Sequence, residues 1–296
     1  MGKHFLVTIG DDPDVFYGVG FIQHFFDAKD LVRVTLFHIA PQPPAVWPEE
    51  LSYETKTELE KQAGRIEDKG RAALAAARDG LVRRGFPPSG VEEKFVFGSF
   101  PRSGYLILEG EYGDYDAVVL GQRGFAGLSA FLDRGVGVAI MRESFEFPLW
   151  VCRFPDYARS GVLACVDGSN ASLRVVEHVG AMLAGETRHA VTLCHVRRPG
   201  SGGPDDSAAI IARAAEVLGA HGIPGERIAT RELAAENVPQ AVLAEAEAGR
   251  FAVVAAGRTG QGRGRAPFGN LSRAFFGSVS DVLFHELSGA VLWVCR

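Results

Sequence analysis

The chain has 296 residues, of which 47% are hydrophobic and 23% are charged, which is typical of a soluble globular protein with enough length for two cores of ordinary size. A formal net charge of −5 argues against a general affinity for nucleic acid or anionic membranes, and no apolar run approaches the roughly 18–20 residues that span a bilayer. The N-terminus reads as a strand rather than a signal peptide. The four cysteines lie in apolar stretches without CxxC spacing, so we expect buried thiols and a cytoplasmic protein.

In chain order, the first half alternates between β-rich runs and segments with helical periodicity. Short runs of β-branched and aromatic residues predict strands, and apolar residues at helical spacing predict helices, the second of them long and charged. GFPPSG, at 85–90, ends that long helix. The predicted strands are Phe5–Ile9, Val32–His38, Glu92–Phe97 and Ala117–Gly121, and the predicted helices are Val15–Phe26, Glu49–Arg84 and Ser103–Glu111.

The second half repeats the first. PLWVCR at 148–153 returns as VLWVCR at 291–296, which places Trp150 and Trp293 in matching strands. VTLFHIA, AVVLGQRG and HFLVTIGDD in the first half likewise match VTLCHVR, AVVAAGRTG and GVLACVDGS in the second. A repeat of this length indicates tandem domains, which we assign to residues 1–153 and 160–296, with FPDYAR at 154–159 between them.

Strands that alternate with helices predict an α/β fold in which each half forms a five-stranded parallel sheet with helices on both faces. Both final strands are aliphatic and carry a tryptophan, so as bare edges they would be prone to aggregation. We therefore expect the two final strands to pair with each other, which gives an intramolecular pseudo-dimer. The alternative is that each strand is covered by its own domain. A further homodimer stays open.

Ligands of open α/β sheets bind beyond the carboxyl ends of the strands. In the second half, VDGSNAS places Asp167 at such an end, and a glycine-rich stretch with Arg258, Arg263 and Arg265 follows the fourth strand. GSVSDVLF then reads as a helix N-terminus, where free amides and a positive dipole favour phosphate. A flexible surface loop before an ordinary capped helix is the alternative. His38 and His195 end equivalent strands, and a structural role is favoured for both over catalysis.

The order of VDGS, HV, Gly-x-x-Gly, GSVSDVL and VLWVCR resembles the universal stress protein family, in two copies over nearly the whole chain. The resemblance implies the adenine-nucleotide α-hydrolase-like fold, with strand order 3-2-1-4-5, and an ATP site in which Mg²⁺ bridges the phosphates. It also implies roles for single residues: Asp167 faces the nucleoside, the backbone of Val196 meets adenine, two glycines wrap the ribose, and the start of the last helix holds the phosphates. The nucleotide-binding residues are then Asp167, Val196, Gly257, Gly260, Gly277, Ser278, Val279 and Ser280.

Two departures from the family pattern predict asymmetry between the halves. In the second half the segment 261–276 is longer than the family spacer, so it forms either a longer phosphate lid or an obstacle to ATP. In the first half Gly10 stands where the second half has Asp167, although Asp11 and Asp12 are adjacent, and Gly135-Val136 replaces the Gly-Ser pair. We therefore expect ATP binding in the second half and a degenerate pocket in the first.

The primary functional prediction is an ATP-binding stress-response or regulatory protein. One alternative is a slow ATPase or autophosphorylating enzyme, and another is a nucleotide-free interaction scaffold. Efficient phosphoryl transfer needs a metal-holding acid and a residue that positions the nucleophile. Beyond Asp167 and Asp281 the sequence offers no obvious set, so no residue is assigned a catalytic or metal-binding role.

Overall fold

A computed structural model describes residues 2–10, 16–43, 52–98, 102–121, 145–199, 207–258 and 278–295. The strands within these residues are β1 (Lys3–Thr8), β2 (Val32–Pro41), β3 (Val91–Gly98), β4 (Ala117–Gly121), β5 (Leu149–Cys152), β6 (Val162–Cys165), β7 (Val191–Arg197), β8 (Ile228–Ala234), β9 (Val253–Gly257) and β10 (Val291–Cys295). The α-helices are α1 (Tyr17–Phe25), α2 (Tyr53–Arg83), α3 (Arg102–Tyr112), α4 (Asn170–Leu183), α5 (Ser207–Ala220), α6 (Val238–Ala248) and α7 (Ser278–Glu286).

All ten strands form one sheet, in the order β3-β2-β1-β4-β5-β10-β9-β6-β7-β8. The α/β fold is as predicted, and each half keeps the order 3-2-1-4-5, but the two tandem five-stranded sheets are joined into one ten-stranded sheet. The halves merge because β5 and β10 pair in antiparallel orientation, with Trp293 opposite Trp150, while the other strand pairs are parallel. This pairing satisfies the backbone groups of two apolar strands that would otherwise be exposed edges.

The helices cover the sheet in two layers, and each layer extends across both halves. On one face the core contains side chains of α1, α2, α4 and α5, together with both tryptophans. On the other face the core contains side chains of α3, α6 and α7, including Leu106, Val242 and Leu283. Because both cores cross from one half to the other, the halves share their buried apolar surface.

The long helix α2 is shorter than predicted at its start and is buried only towards its end. It begins after Ser52, whose hydroxyl accepts a hydrogen bond from the Thr55 amide at 3.1 Å, rather than at Glu49. Its fully buried residues lie between Gly70 and Leu81. The helix therefore packs on β2 and β3 through its second half, whereas its first turns are held mainly by their cap and by helical hydrogen bonds.

The antiparallel junction turns the carboxyl ends of the two halves towards opposite edges of the sheet. The carboxyl ends of β6 and β9 therefore lie on the same side of the sheet as the start of β5, because Val294 near the end of β10 pairs with Leu149. As predicted, the four cysteines are free thiols, and all but the partly exposed Cys165 are buried. Burial raises the pKa of the Cys194 and Cys295 thiols to about 12 in each case, so they are expected to stay protonated at neutral pH.

Candidate functional site

Asp167 lies just beyond the end of β6 and shapes the turn into α4. Its carboxylate oxygen Oδ1 accepts a hydrogen bond from the Ser169 amide at 3.0 Å. Gly168, between them, has φ of +80°, a conformation that favours glycine. The Ser169 hydroxyl then caps α4 by accepting from the Ser172 amide at 3.1 Å. The sequence DGS thus directs the N-terminus of α4 towards the carboxyl edge of the sheet.

Val196 lies at the end of β7, beside Asp167. The Cys194 carbonyl accepts from the Val166 amide at 2.9 Å, so residues at this phase of β7 direct their backbone groups towards β6. Val196 lies two residues later, so its backbone groups point to the same side of β7 as those of Cys194. The paired part of β6 ends at Cys165, before it reaches the level of Val196. The backbone of Val196 therefore faces the space beyond the end of β6, next to Asp167.

His195 links the end of β7 to the residue that follows β6. Its Nδ1 lies 2.8 Å from the Val166 carbonyl oxygen, and the ring nitrogen must donate because a carbonyl only accepts. His38 makes the equivalent bond to the Ile9 carbonyl at 3.0 Å in the first half. Both histidines thus tie the end of one strand to the residue that follows its neighbour, in keeping with the predicted structural role.

Gly257 ends β9 against the first turn of α4. A β-carbon at this position would lie 3.2 Å from the β-carbon of Ala171 and 3.5 Å from the Ser172 amide nitrogen. The first of these distances is tighter than an ordinary contact, so a side chain here would push α4 away from the strand. The glycine of the Gly-x-x-Gly pattern therefore allows the strand end and the helix start to pack closely.

The first turn of α7 contacts the same strand end. The buried Ser280 hydroxyl donates to the Arg258 carbonyl oxygen at 3.2 Å, and Val279 is partly buried against the core. Ser278 begins the helix. The N-termini of α4 and α7 therefore each lie near the end of β9, on opposite faces of the sheet, and helix N-termini favour anions. Gly260 and Gly277, like the segment 261–276 and the arginines at 263 and 265, lie outside the described residues.

Arg258 has a packing role that the sequence did not reveal. Only 3% of its surface is exposed, and its guanidinium lies 4.4 Å from the centre of the Phe145 ring. Burial lowers the pKa of this guanidinium from its usual value. Since Phe145 precedes β5 in the other half, Arg258 joins the halves at the edge of the candidate site. Nothing local in the sequence pairs residues so far apart.

The residues at the corresponding strand ends of the first half differ from those of the second half. Gly10 follows Ile9 where Asp167 follows Val166, and α1 begins after Phe16 without a side-chain cap. His38 is 2% exposed, and a β-carbon on Gly70 of α2 would lie within 2.8 Å of its ring nitrogen Nε2. Helix α2 is thus packed onto the end of β2. Asp11, Asp12 and the Gly135-Val136 pair lie outside the described residues.

The donors at the second-half edge suit an anion better than a metal ion. Two helix N-termini and the glycine-lined strand end offer backbone amides, with one carboxylate at the turn. Among the described residues, no group of three or more His, Cys, Asp or Glu side chains could hold a metal ion. The described helices also include none that combines the length and apolar character of a membrane crossing.

These features define an α/β protein with an anion-favouring site at the carboxyl edge of its second half. A model of the universal stress protein family matches residues 160–294, so the second half of the chain is similar to universal stress proteins. None of the curated proteins searched matches the chain.

Two solved structures share the fold over nearly the whole length. A universal stress protein from Archaeoglobus fulgidus DSM 4304 covers 99% of this chain and 98% of its own, with a TM-score of 0.65 at 16% identity. A candidate universal stress protein from Pseudomonas aeruginosa UCBPP-PA14 covers 99% of this chain and 92% of its own, with a TM-score of 0.54 at 16% identity. The whole-chain likeness supports the two-part architecture.

Proposed function

We propose that this chain is a stress-response protein that binds an adenine nucleotide, mainly in its second half. The observation that carries the proposal is the meeting of Asp167, the Val196 backbone, Gly257 and the start of α7 at one edge of the sheet. The family match over 160–294 supports the same assignment. In this proposal Asp167 faces the nucleoside and the Val196 backbone faces the base.

The phosphates would lie over the N-terminus of α7, where Ser278, Val279 and Ser280 supply backbone amides. Gly260 and Gly277 would complete this cradle, as the family pattern implies. Mg²⁺ would be held largely by phosphate oxygens, because hard cations favour oxygen ligands and the described residues of this edge supply few carboxylates, namely Asp167 after β6 and Asp281 in the first turn of α7. Regulation through nucleotide occupancy is favoured over turnover, since the described residues of this edge include no histidine or lysine positioned as a base near Asp167 beyond the bonded His195.

The proposal treats residues 1–153 and 160–296 as two related domains with one competent site. In the first half Gly10 supplies no carboxylate and α1 has no side-chain cap, while α2 packs on His38. Each difference removes a feature that we assign to nucleotide binding in the second half. The cytoplasm, where ATP is abundant, is the expected compartment.

The test is the amount and identity of nucleotide that copurifies with the protein, measured by mass spectrometry, followed by calorimetry with ATP and Mg²⁺. One adenine nucleotide per chain is expected. The matched variants exchange the residues that distinguish the halves: Asp167→Gly should weaken ATP binding at least tenfold, whereas Gly10→Asp should leave it unchanged. Gly277→Asp, which adds a carboxylate at the phosphates, should abolish binding.

Two nucleotides per chain would contradict the asymmetry, and equal affinity of Asp167→Gly and the native chain would contradict the assigned site. No nucleotide, together with no calorimetric binding, would favour the interaction scaffold. Multiple turnover of ATP that disappears in Asp167→Gly would instead favour the enzyme.

A further inference from the structure

A row of exposed side chains runs along the outer face of α3. Leu108 is 58% exposed and Tyr112 is 81% exposed, and the two are neighbours on the helix because four residues separate them. Gly104 precedes them by the same step and is also exposed, and a β-carbon added to it would point into open space. We call these three residues the α3 ridge. It has a large ring at one end, a gap at the other and Leu108 in the middle.

The repeat relates α3 to α6 of the second half. Glu109 of α3 and Glu245 of α6 each form an ion pair with a basic residue of the edge strand of their half, and 136 residues separate them (245 − 109). The residues that follow the two helices with positive φ have the same separation: Asp114 has φ of +54° and Arg250 has φ of +48°. The two helices are therefore equivalent residue by residue.

Helix α6 keeps the buried face of α3 but not its ridge. The buried Leu106 of α3 corresponds to the buried Val242 of α6. By the offset of 136 residues, the counterparts of Gly104, Leu108 and Tyr112 are Gln240, Ala244 and Ala248, all exposed. The fold thus requires no large apolar side chain on this outer face. An exposed apolar cluster that the fold does not require is typical of a surface that contacts another molecule.

We propose that the α3 ridge is an interface between two copies of this chain, whose α3 helices pack antiparallel about a two-fold axis at Leu108. In such a contact the same patch of both copies meets, so residues whose numbers add to 216 (2 × 108) face each other. Tyr112 then meets the partner's Gly104, where the missing side chain leaves room for the ring. Side chains at i, i+4 and i+8 form one of the rows through which helices pack against each other.

The charges of α3 favour this occupant. The helix is described throughout, and it has no acidic residue in its first turn and no basic residue in its last turn. Glu111 and Asp114 are exposed at its C-terminal end, where the helix dipole is also negative. In the antiparallel pair these carboxylates lie beside the positive N-terminal end of the other helix. A second copy therefore supplies both the gap and the positive end that the ridge complements.

The first test is the mass of the intact chain by sedimentation equilibrium. A contact through one pair of helices is smaller than a standard interface, so the dimer should be weak, and the mass should rise from 31.8 kDa towards twice that value between micromolar and millimolar concentrations. Tyr112→Ala, which copies Ala248, should raise the dissociation constant about tenfold or more, as loss of an aromatic anchor does. Tyr53→Ala removes an equally exposed ring outside the ridge and should leave the constant unchanged.

The two-fold axis is tested with opposite charges at residue 108. Leu108→Lys and Leu108→Glu should each weaken self-association about tenfold or more, because the axis places two like charges against each other. An equimolar mixture of the two variants should associate more tightly than either variant alone, since a lysine then meets a glutamate. Residue 108 is exposed, so both variants should fold, and circular dichroism checks this.

A chain that stays monomeric at millimolar concentration would overturn the proposal, and the ridge would then be a surface for a different protein. Self-association that Tyr112→Ala weakens no more than Tyr53→Ala does would place the contact elsewhere on the molecule and would also overturn it. A mixture of the lysine and glutamate variants that associates no better than the separate proteins would contradict the two-fold axis at Leu108.

Discussion

The two halves share a backbone arrangement but differ in the residues at their strand ends. Each half uses a histidine at the end of its second strand to hold the residue that follows its first strand, through bonds of 3.0 Å from His38 and 2.8 Å from His195. Beyond that shared bond, the second half has a carboxylate and a capped helix, whereas the first has Gly10 and an uncapped α1. The comparison teaches that the apolar strands preserve the fold while the loops at the strand ends diverge.

The largest expected effect concerns the tryptophans that join the halves. Trp150 and Trp293 are fully buried and stack with ring centroids 4.2 Å apart at an angle of 8°. Truncation of a buried tryptophan to alanine costs about 3–5 kcal/mol, because contacts are lost and a cavity remains. We expect Trp150→Ala and Trp293→Ala each to lower the free energy of unfolding by about this amount, measured by urea denaturation.

The control is Tyr53→Ala, at a side chain that is 86% exposed, which should change stability by less than about 0.5 kcal/mol.

Because both cores cross between the halves, the native chain should unfold in one transition rather than two. Two separate transitions, with each tryptophan variant affecting only one, would show that the halves are independent.

The sequence predicted the fold well because the fold depends on repeated local patterns. The alternation of strands and helices predicted a parallel sheet in each half, the family resemblance implied the strand order, and the matching Trp150 and Trp293 strands suggested their pairing. The prediction described two tandem sheets rather than one of ten strands, although the expected pairing of their last strands joins them, since both arrangements have the same local pattern. Only the antiparallel register of β5 and β10 separates these arrangements.

The position of part of the candidate site follows from the strands, whereas its role in nucleotide binding stays a prediction. Asp167 follows β6, Val196 lies near the end of β7 and Gly257 ends β9, so the parallel strands bring these residues to one edge. Arg258 was interpreted as a phosphate-facing charge, but it is buried over Phe145. The bond from Trp150 to His178 was likewise invisible, because both contacts join residues that no local pattern relates.

The second prediction, of intermediate size, concerns the pH dependence of stability at His178 of α4. Its counterpart in the repeat is Phe21 of α1, which lies 157 residues earlier, just as Ile9 lies 157 residues before Val166. The Trp150 indole donates to His178 Nε2 at 2.9 Å, whereas the Trp293 indole has no hydrogen-bond partner in the described chain. Burial lowers the pKa of His178 to about 3, so the folded protein keeps it neutral, while the unfolded chain protonates it near its ordinary value of 6.5. Its contribution to stability is therefore fully present above pH 6.5 and declines as the pH falls towards 3, by roughly 1.4 kcal/mol per pH unit.

We expect His178→Phe, which copies the first half, to lose about 1–3 kcal/mol at pH 7, because the Trp150 indole loses its acceptor. The variant should then lose less stability on acidification, so that the two free energies of unfolding approach each other and cross between about pH 6 and 4. Urea denaturation at pH 7, 6, 5 and 4 measures the difference. His4 and His189 also have lowered pKa values, but both proteins contain them, so their effects cancel.

His285→Phe, at an exposed position, is the matched control for the replacement of a histidine by phenylalanine. A stability difference between His178→Phe and the native chain that stays constant with pH would mean that His178 titrates normally in the fold.

The smallest expected effect is the loss of stability when a serine cap at a helix N-terminus is removed, and the chain offers two such caps of equal geometry. Ser169 and Ser52 each accept a hydrogen bond of 3.1 Å from the amide three residues later, at the starts of α4 and α2. Loss of such a cap typically costs about 1 kcal/mol. We expect Ser169→Ala to show this full cost, because the first turn of α4 is buried against Gly257, where a β-carbon on the glycine would lie only 3.2 Å from that of Ala171.

Ser52→Ala should cost less, because the first turns of α2 bury no residue fully and can fray without disturbing the core. The free energies of unfolding give this comparison directly, and amide hydrogen exchange should show faster opening around residue 172 in one variant and around residue 55 in the other. Ser169→Ala should also weaken ATP binding, since its cap orients the amides beside Asp167, whereas Ser52→Ala should not. Equal effects of the two variants on both stability and nucleotide affinity would mean that the start of α4 is no more tightly coupled to the second-half site than the start of α2.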